Sequence, residues 1–290
     1  MKKIKILIPV FNDWQSLSKL LNNIDKVIND IDYEISTIIV DDASTFLRHI
    51  ELENISNINS IKILSMKENK GHARCIAAGL KYIYEKEEFD YVIPMDGDGE
   101  DRPEEIKEFI KSVENIPGQT VVGERIKRSE AFIFKFCYFF HKMITLVFTG
   151  HSIKYGNFTC LTKSTVKKLI NEKSTWNSFS GSLTKVEKNK ISIPSIRGER
   201  YFGPSKMSFR NLLKHSLSII SVFRKTVLIR SALFIIIYIL MIKSNASIIT
   251  ALPLMLLLIM IYSISSLALR ENMDEFNKCL SNISNIEELK

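Results

Sequence analysis

The stretch Tyr91-Val-Ile-Pro-Met-Asp96-Gly-Asp98-Gly-Glu100-Asp-Arg-Pro103 determines how the rest of this chain is interpreted. An apolar segment ends in closely spaced carboxylates, and a proline suited to the first turn of a helix follows. In open α/β sheets, ligands bind at the carboxyl ends of the strands. Carboxylates one residue apart, such as Asp96 and Asp98, can share a divalent cation. The loop is not an EF-hand, because Asp101 stands where that loop requires glycine.

Three further strand–turn–helix units precede this stretch. Apolar runs predict strands at Ile4–Val10, Ile35–Val40 and Ile61–Ser65, before a fourth at Tyr91–Met95. A further strand is predicted at Val121–Gly123. Strands that alternate with helices predict an α/β fold with a mostly parallel sheet and helices on both of its faces.

The composition indicates an anionic partner. The 290 residues carry a formal net charge of +8, which suits a phosphorylated substrate, an anionic membrane surface or nucleic acid. No nucleic-acid motif is present, so we expect no nucleic-acid partner. The four cysteines lack Cys-x-x-Cys spacing, which argues against a zinc site and fits reduced thiols. The N-terminus has no apolar segment typical of a signal peptide.

The C-terminal part of the sequence predicts a membrane hairpin. Residues 226–242 and 246–269 are each near the roughly 20 residues that cross a bilayer, and the short polar link between them predicts an antiparallel pair. Residues 208–225 predict an amphipathic helix on an anionic membrane surface. The basic residues at the start of the first span place the large domain and the tail in the cytoplasm. These residues are Lys214, Arg224, Lys225 and Arg230.

The predicted organisation is therefore a catalytic domain over residues 1–207, the amphipathic helix, the hairpin, and a cytoplasmic tail over residues 270–290. We expect that tail to be a short helix or a frayed end. Residues 131–149 are rich in aromatic side chains, but they contain two lysines and a histidine. Charge is costly at bilayer depth, so this segment predicts a helix half-buried against the domain or lying at the lipid interface.

Four short motifs lie at strand ends or in the turns that follow them. They are Pro9-Val-Phe11-Asn-Asp13, Asp41-Asp42-Ala-Ser44, Asn69-Lys70-Gly71 and Asp96-Gly97-Asp98. The third motif opens a helix whose N-terminus can face an anion. Each motif is weak alone, but all four in this order predict one ligand site at the carboxyl edge of the sheet.

With these motifs, the chain resembles the family 2 glycosyltransferases of the GT-A fold, and most closely the branch that glycosylates polyprenyl phosphates. The likeness covers roughly residues 4–210, and the hairpin fits the same branch. It also includes Gly123-Glu-Arg125 and Arg200-Tyr-Phe-Gly203-Pro-Ser205-Lys206. The resemblance implies a Rossmann-like catalytic domain followed by the two-helix hairpin. It also implies an inverting transfer of one sugar from a nucleotide diphosphate sugar.

The resemblance implies a role for each matching residue. Those implied for the nucleotide sugar are Pro9, Phe11, Asp13, Asp41, Asp42, Lys70, Gly71, Asp96, Gly97, Asp98 and Arg125. Those implied for catalysis are Asp96, Asp98, Arg125, Arg200 and Lys206. Asp98 and Glu100 are the implied ligands of Mg²⁺ or Mn²⁺. A UDP-sugar is favoured as donor over a GDP-sugar, and a homo-oligomer in the bacterial inner membrane is compatible with the branch.

The acceptor is predicted from chemistry. Transfer to a hydroxyl benefits from a general base, whereas a phosphate monoester is already anionic near neutral pH. Residues 174–182 contain no Asp or Glu, where relatives acting on hydroxyls carry a carboxylate. Basic residues are frequent nearby, which favours a polyprenyl phosphate acceptor. They are Lys185, Lys188, Lys190, Arg197, Arg200 and Lys206.

One departure from the branch concerns this acceptor. Many relatives carry Ser-Gly-Phe-Arg where this chain has Gly156-Asn-Phe158-Thr159, so His151 or Lys154 would have to supply the missing charge.

Three alternative functions stay open: transfer to a saccharide hydroxyl, a catalytically silent membrane scaffold or sugar-nucleotide sensor, and a metal phosphohydrolase. The last lacks the second cluster of His and Asp that such enzymes use.

Overall fold

Four parallel strands form the centre of the sheet in the computed structural model, which describes residues 1–127, 142–204 and 208–290. These strands are β1 (Lys2–Val10), β2 (Tyr33–Asp41), β3 (Ser60–Met66) and β4 (Tyr91–Pro94). They pair in the order β4-β1-β2-β3. The sequence analysis predicted all four, because each is a mainly apolar run of the kind found in a buried parallel sheet.

Helices cover both faces of these strands, as the alternation of strands and helices predicts. They are α1 (Trp14–Val27), α2 (His72–Lys86) and α3 (Glu105–Asn115). On β1, Ile4, Ile6 and Ile8 pack in one core cluster with residues of α1 and α3. Leu7, between them, packs in the other cluster with residues of α2. This alternation follows from the two-residue repeat of a strand.

Three strands extend the sheet beyond β4 and make it mixed. They are β5 (Thr120–Lys127), β6 (Tyr155–Thr162) and β7 (Lys190–Ile196). β6 is antiparallel to both β4 and β5, whereas β7 is parallel to β5. Residues 142–149 are helical (α4), followed by α5 (Lys163–Ile170) and α6 (Phe179–Val186). Most of the predicted aromatic helix at 131–149 lies outside the described residues. Within α4, Thr145 is buried and Val147 is exposed.

The C-terminal helices include two that are long and apolar enough to cross a membrane. They are α8 (Arg224–Ile242) and α9 (Ile248–Ala268), and α7 (Phe209–Ser221) precedes them. Nineteen residues of α8 extend about 28 Å, close to the thickness of the hydrocarbon core. Most of their apolar side chains face outward; Ile229, for example, is 71% exposed. These helices confirm the prediction of two candidate spans.

The C-terminal tail differs from the expected short helix or frayed end. A short helix, α10 (Met273–Asn277), is followed by strand β8 (Ile283–Glu288), which pairs antiparallel with β3. The pairing covers the edge of β3, whose unpaired amides and carbonyls would otherwise face water. Phe276 is fully buried, and its ring stacks on Trp176 with centroids 5.3 Å apart. The chain on both sides of the α8–α9 hairpin therefore belongs to one folded domain.

A buried ion-pair network closes the opposite, amino-terminal end of the sheet. Glu87 lies 3.1 Å from the Lys5 ammonium and 2.7 Å from that of Lys62. Its side chain is 9% exposed. Burial disfavours its charge, but the hydrogen bonds from Lys62 and Lys5 prevail and lower the pKa of Glu87. The network therefore stabilises the folded chain while Glu87 is ionised.

We expect Glu87→Gln to lower the free energy of unfolding by about 2 kcal/mol at pH 7, because charged hydrogen bonds to buried lysines are lost. Chemical denaturation measures this. A lowered pKa means that the stabilisation is present above the ordinary pKa of 4.5 and is lost as pH falls through the folded value. The difference from wild type should therefore shrink below pH 4.5. Glu88→Gln, at an exposed neighbour, is the control and should leave stability unchanged; equal effects would contradict the prediction.

Candidate active site

The ends of β1, β2 and β4 meet at the carboxyl edge of the sheet. The amide of Asp42 donates to the carbonyl of Val10 (2.9 Å), and the amide of Met95 donates to that of Leu7 (3.0 Å). A β-carbon on Gly97 would lie 3.3 Å from the carbonyl oxygen of Pro9, so the tips of β1 and β4 touch. Three of the four predicted motifs are thus brought side by side.

The loops after β1 and β2 brace each other through Asn12. Its amide donates to Ser44 Oγ (2.8 Å), and its side-chain oxygen accepts from the amides of Thr45 (2.8 Å) and Phe46 (2.9 Å). Asn12 and Ala43 have φ angles of +53° and +56°, which cost energy in residues other than glycine. Such strain is held by surrounding contacts and is typical of functional sites. Phe11, beside this brace, is 42% exposed.

Asp41 and Asp42 hold turns in this structure. Both oxygens of the buried Asp42 carboxylate accept from backbone amides, from Lys70 at 2.7 Å and from Gly71 at 2.9 Å. Burial raises the pKa of Asp42. Asp41 accepts from the amide of Ser44 at 3.0 Å. These contacts position the third motif against the second, and the contact with a nucleotide base stays a prediction.

Four carboxylates lie within six residues at the tip of β4. The backbone amide of Asp96 donates to Asp101 Oδ2 (2.9 Å), and Asp98 Oδ1 accepts from the amide of Glu100 (3.0 Å). Burial, and the negative charge of Asp96, raise the pKa of Asp98 to about 6 and that of Asp101 to about 7. Additional positive charge at this tip would therefore be stabilised. Asp101, only 4% exposed, was not among the predicted site residues.

Three arginines face these carboxylates. Arg200 donates to Asp98 Oδ2 at 2.7 Å and also pairs with Asp13, so it joins the tips of β4 and β1. Arg125 Nη2 lies 3.5 Å from Asp101 Oδ1. Arg197, which the sequence analysis named only among the basic residues near the acceptor region, pairs with Glu100.

His72 and Asn157 contact Asp96 and were not predicted as site residues. The Nε2 atom of His72 lies 3.3 Å from Asp96 Oδ1, and the Asn157 side-chain amide donates to the same oxygen at 3.2 Å. Burial opposes ionisation of Asp96, but the positive charge and hydrogen bond of His72 lower its pKa. Asp96 is therefore held as an anion. His72 directly follows the Asn69-Lys70-Gly71 motif, which was the available signal in the sequence.

The segment 197–203 lies across the tip of β4. Gly198 donates its amide to the carbonyl of Glu100 (2.8 Å), and Tyr201 donates its amide to that of Asp98 (2.9 Å). The Tyr201 ring rests on Gly99, where a β-carbon would lie 2.6 Å from ring atoms. Gly99 also has a φ of +89°. Both the contact with the ring and the backbone conformation therefore require glycine at this position. Lys206, predicted to act with Arg200, lies outside the described residues.

The donor atoms at this tip fit a hard divalent cation. Carboxylate oxygens are the ligands that Mg²⁺ and Mn²⁺ prefer, and burial together with the negative charge of Asp96 raises the pKa of Asp98. Within the described residues, no three His, Cys, Asp or Glu side chains are already arranged around one metal position. The predicted ligands Asp98 and Glu100 pair with Arg200 and Arg197 instead. A cation would therefore compete with these arginines.

The fold and this site define the class of the protein. The chain belongs to the family 2 glycosyltransferases, since the family model described as "Glycosyl transferase family 2" matches residues 5–162, more than half of its length. A relative from Proteus mirabilis (strain HI4320), "undecaprenyl-phosphate 4-deoxy-4-formamido-L-arabinose transferase", is 29% identical over 228 residues. The match covers 73% of this chain and 64% of the relative, so the chain spans less than two thirds of that protein's length.

Solved structures share the GT-A fold. Glucosyl-3-phosphoglycerate synthase from Mycobacterium tuberculosis, in complex with Mn²⁺, UDP-glucose and phosphoglyceric acid, superposes with a TM-score of 0.52 at 12% identity. That match covers 78% of this chain and 80% of the other. S. aureus TarS in complex with UDP-GlcNAc gives a TM-score of 0.50 at 14% identity, covering 97% and 89% of the two chains. At these identities the likeness supports the fold alone.

Proposed function

We propose that this glycosyltransferase moves one sugar from a nucleotide diphosphate sugar to a polyprenyl phosphate at a membrane surface. The observation that carries the proposal is the carboxylate cluster at the β4 tip, in a domain joined at both ends to an apolar hairpin. The printed activity of the Proteus mirabilis relative, an undecaprenyl-phosphate sugar transferase, supports the same acceptor class.

In the proposed reaction, an oxygen of the lipid phosphate attacks the anomeric carbon. The bond from that carbon to the β-phosphate oxygen breaks, and the nucleoside diphosphate leaves with the electron pair. A single displacement inverts the anomeric centre. Cationic side chains at the site would favour departure of the diphosphate, because preorganised charge stabilises the charge that develops in a transition state. Arg200, Arg125 and His72 supply that charge around the β4 tip.

Asp98 and Glu100 are the residues that would hold Mg²⁺ or Mn²⁺. The cation would offset the charge of the diphosphate as it departs. Release of Asp98 would free Arg200, which now pairs with it, for the phosphates of donor or acceptor. Asp96 is held as an anion by His72 and Asn157 and would orient the nucleotide sugar. Asp13 and the exposed ring of Phe11 would border the ribose and base.

The acceptor region supports a phosphate more than a hydroxyl. Residues 174–182 are buried in a network of hydroxyls, in which Thr175 Oγ1 lies 2.7 Å from Ser182 Oγ. The neighbouring carboxylate of Glu172 accepts from Ser174 and pairs with Lys185 at 2.8 Å. A carboxylate held in this way is a poor general base, and an anionic phosphate needs none.

The tail and the basic residues near α8 support an orientation in the membrane. Residues on both sides of the hairpin pack in one domain, with Phe276 of the tail stacked on Trp176. The chain must therefore cross the bilayer an even number of times between them. The basic residues flanking α8 favour the cytoplasm for that domain. We propose two spans, with the catalytic domain and the C-terminus on the cytoplasmic side of a bacterial inner membrane whose anionic lipids attract α7.

The test is transfer of radiolabelled sugar into organic-extractable lipid. The purified full chain in detergent is incubated with undecaprenyl phosphate, Mg²⁺ or Mn²⁺, and a panel of UDP- and GDP-sugars. At least one donor should label the lipid, and removal of the metal with a chelator should lower transfer to background. Labelling of a saccharide hydroxyl acceptor, with none of the lipid phosphate under any donor, would exclude the proposal and leave the second acceptor class.

A further inference from the structure

We propose that α4 is embedded in the bilayer beside the first membrane helix, with its outward apolar face against lipid acyl chains. Arg230 of α8 then satisfies carbonyl groups at the C-terminal end of this helix. The inference rests on the two spans of the proposed function. Two observations carry it: the hydrogen bonds of Arg230 and the packing of α4 on the hairpin.

Arg230 is a charged residue within an apolar helix. It lies six residues into α8, about 9 Å along the axis. A charge at bilayer depth is costly and is usually paired with another group of the protein. Here the partner is the end of α4: Arg230 Nη1 donates to the carbonyl of Val147 at 2.7 Å and to that of Leu146 at 3.4 Å. The guanidinium is thus engaged by the backbone of a second helix.

The C-terminal end of α4 has carbonyl groups that no following turn of helix can satisfy. Gly150 ends the helix with a φ of +80°, and its amide donates to the carbonyl of Leu146 at 2.9 Å. Thr149 Oγ1 donates to the carbonyl of Thr145 at 2.6 Å. A β-carbon on Gly150 would lie 2.8 Å from Arg230 Nη2, so glycine also permits the approach of the guanidinium. Backbone groups in lipid must be satisfied by the protein, and these contacts do so.

The inward face of α4 packs on the helices of the hairpin. Ile144 and Phe148 lie against a buried cluster of Ile220, Val227 and Ile264, which come from α7, α8 and α9. Val227 is three residues after the start of α8, and Ile264 is four residues before the end of α9. Both are therefore within about one turn of the helix ends that adjoin the catalytic domain. The packing places α4 at the level where the hairpin would enter the bilayer.

The outward face of α4 is apolar. Met143, Leu146 and Val147 are 42%, 50% and 53% exposed, and their spacing of three and four residues puts them on one side of the helix. Lys142 is the one charged residue between positions 142 and 149. Its long side chain can carry the ammonium to the level of the lipid head groups. The composition of α4 is therefore compatible with a position at the edge of the hydrocarbon region.

The acyl region of the bilayer is the partner that this face fits. The neighbouring α8 also directs apolar side chains outward, and Ile229, beside Arg230, is 71% exposed. Because α4 packs against α8 and α9, its apolar face continues the surface that the proposed spans present to lipid. A helix end in water could have its carbonyls hydrated and would need no arginine from a membrane span.

An embedded α4 would limit the distance between the membrane and the active site. Strand β6 begins at Tyr155, five residues after Gly150, and Asn157 on β6 donates to Asp96. Seven residues of chain from Gly150 to Asn157 extend at most about 25 Å. The β4 tip would therefore stay close to the head groups, where the phosphate of an acceptor lipid lies.

The experiment introduces a tryptophan on α4 and measures its quenching by lipids with brominated acyl chains. The full-length protein is reconstituted in brominated and in unbrominated phosphatidylglycerol–phosphatidylcholine vesicles. The native Trp14 and Trp176 are buried and give a common background. The added fluorescence of Val147→Trp should be quenched at least twofold by bromine. Ile237→Trp, in the middle of α8, is the quenched control, and Ile116→Trp, which follows α3, is the unquenched control.

Arg230→Leu tests the role of the arginine in the same vesicles. Without the guanidinium, the carbonyl of Val147 loses its donor, so quenching of Val147→Trp should fall by at least half. Quenching of Ile237→Trp should not change, which shows that the hairpin still inserts. Arg230→Lys can still donate one hydrogen bond and should keep most of the quenching of Val147→Trp. Full quenching of Val147→Trp in the Arg230→Leu variant would overturn the role of Arg230.

The two controls separate this inference from the proposed function. If Ile237→Trp is quenched but Val147→Trp behaves like Ile116→Trp, α4 does not contact lipid and the inference is overturned. If Ile237→Trp is also unquenched, the two proposed spans fail, and the inference fails with them. Blue-shifted emission of Val147→Trp without bromine quenching would indicate burial against a second copy of the chain. That result would also overturn the contact with lipid.

Discussion

Asp98→Asn is expected to lower sugar transfer by about 1,000-fold or more while the protein stays folded. Asp98 is the carboxylate at the β4 tip that pairs with Arg200, and its pKa is raised to about 6 by burial and by the charge of Asp96. The amide of asparagine retains the size and one acceptor oxygen. It removes the negative charge that a divalent cation would need. Steady-state transfer into lipid measures the loss, and circular dichroism measures the fold.

A second readout separates the metal from other roles of Asp98. Mn²⁺ together with a nucleotide sugar should raise the melting temperature of wild type, and Asp98→Asn should lose that increase. Asp90→Asn is the matched control, since Asp90 lies just before β4, at its other end, and accepts from the amide of Lys3 at 2.8 Å. It should keep full transfer. Retention of transfer by Asp98→Asn would contradict the assignment of Asp98. A wild type that transfers no sugar from any donor would instead favour a silent scaffold.

Much of the sheet and its ligand edge could be predicted because these depend on local pattern. Each central strand is a mainly apolar run, as largely buried strands require. Its polar motif follows at the carboxyl end, where parallel topology alone brings motifs together. Asp96, Asp98 and Asp13 could therefore be placed in one site from sequence. The family likeness implied that Arg200 holds phosphates in this site. Its contacts with Asp13 and Asp98, which are 187 and 102 residues away, were not predicted.

The parts that could not be predicted depend on tertiary contacts. His72 on α2 and Asn157 on β6 both contact Asp96. A histidine at the start of a helix or an asparagine in a strand is common outside active sites, so the sequence did not mark either residue as part of the site. Asp101 served in the sequence analysis only to exclude an EF-hand, although it is buried and accepts a hydrogen bond from the amide of Asp96. Nor could the sequence indicate that both carboxylate oxygens of Asp42 accept hydrogen bonds from the backbone amides of Lys70 and Gly71.

The tail was only partly predicted, for a related reason: a short helix was expected and is present as α10, but β8 was not expected. Residues 270–290 are mostly polar, and β8 leaves Ile286 half-exposed, so the alternation typical of a half-buried strand is weak. The strand forms because β3 offers an unpaired edge and because Phe276, a few residues earlier in the chain, is buried in the domain. The tail after the hairpin therefore contacts the catalytic domain through the buried Phe276 ring, the ion pairs of Glu275 and the β3–β8 pairing.

Phe276→Ala is expected to lower the free energy of unfolding of the catalytic domain by about 4 kcal/mol, the loss typical of a fully buried phenylalanine. The ring stacks on Trp176, and Lys81 lies 5.6 Å from its centroid. Its loss would also loosen Glu275, which accepts from the Trp176 indole at 3.0 Å and faces Lys70 at 3.4 Å. Denaturation in detergent, followed by tryptophan fluorescence, measures the change.

Ile286→Ala on β8 is the control, because that side chain is 50% exposed and its truncation should cost less than about 1 kcal/mol. If the tail were a frayed end, both variants would unfold as wild type does. If it is the eighth strand of the sheet, only Phe276→Ala should destabilise the domain. That result would also support the even number of membrane crossings, because a tail on the far side of the bilayer cannot contact Trp176.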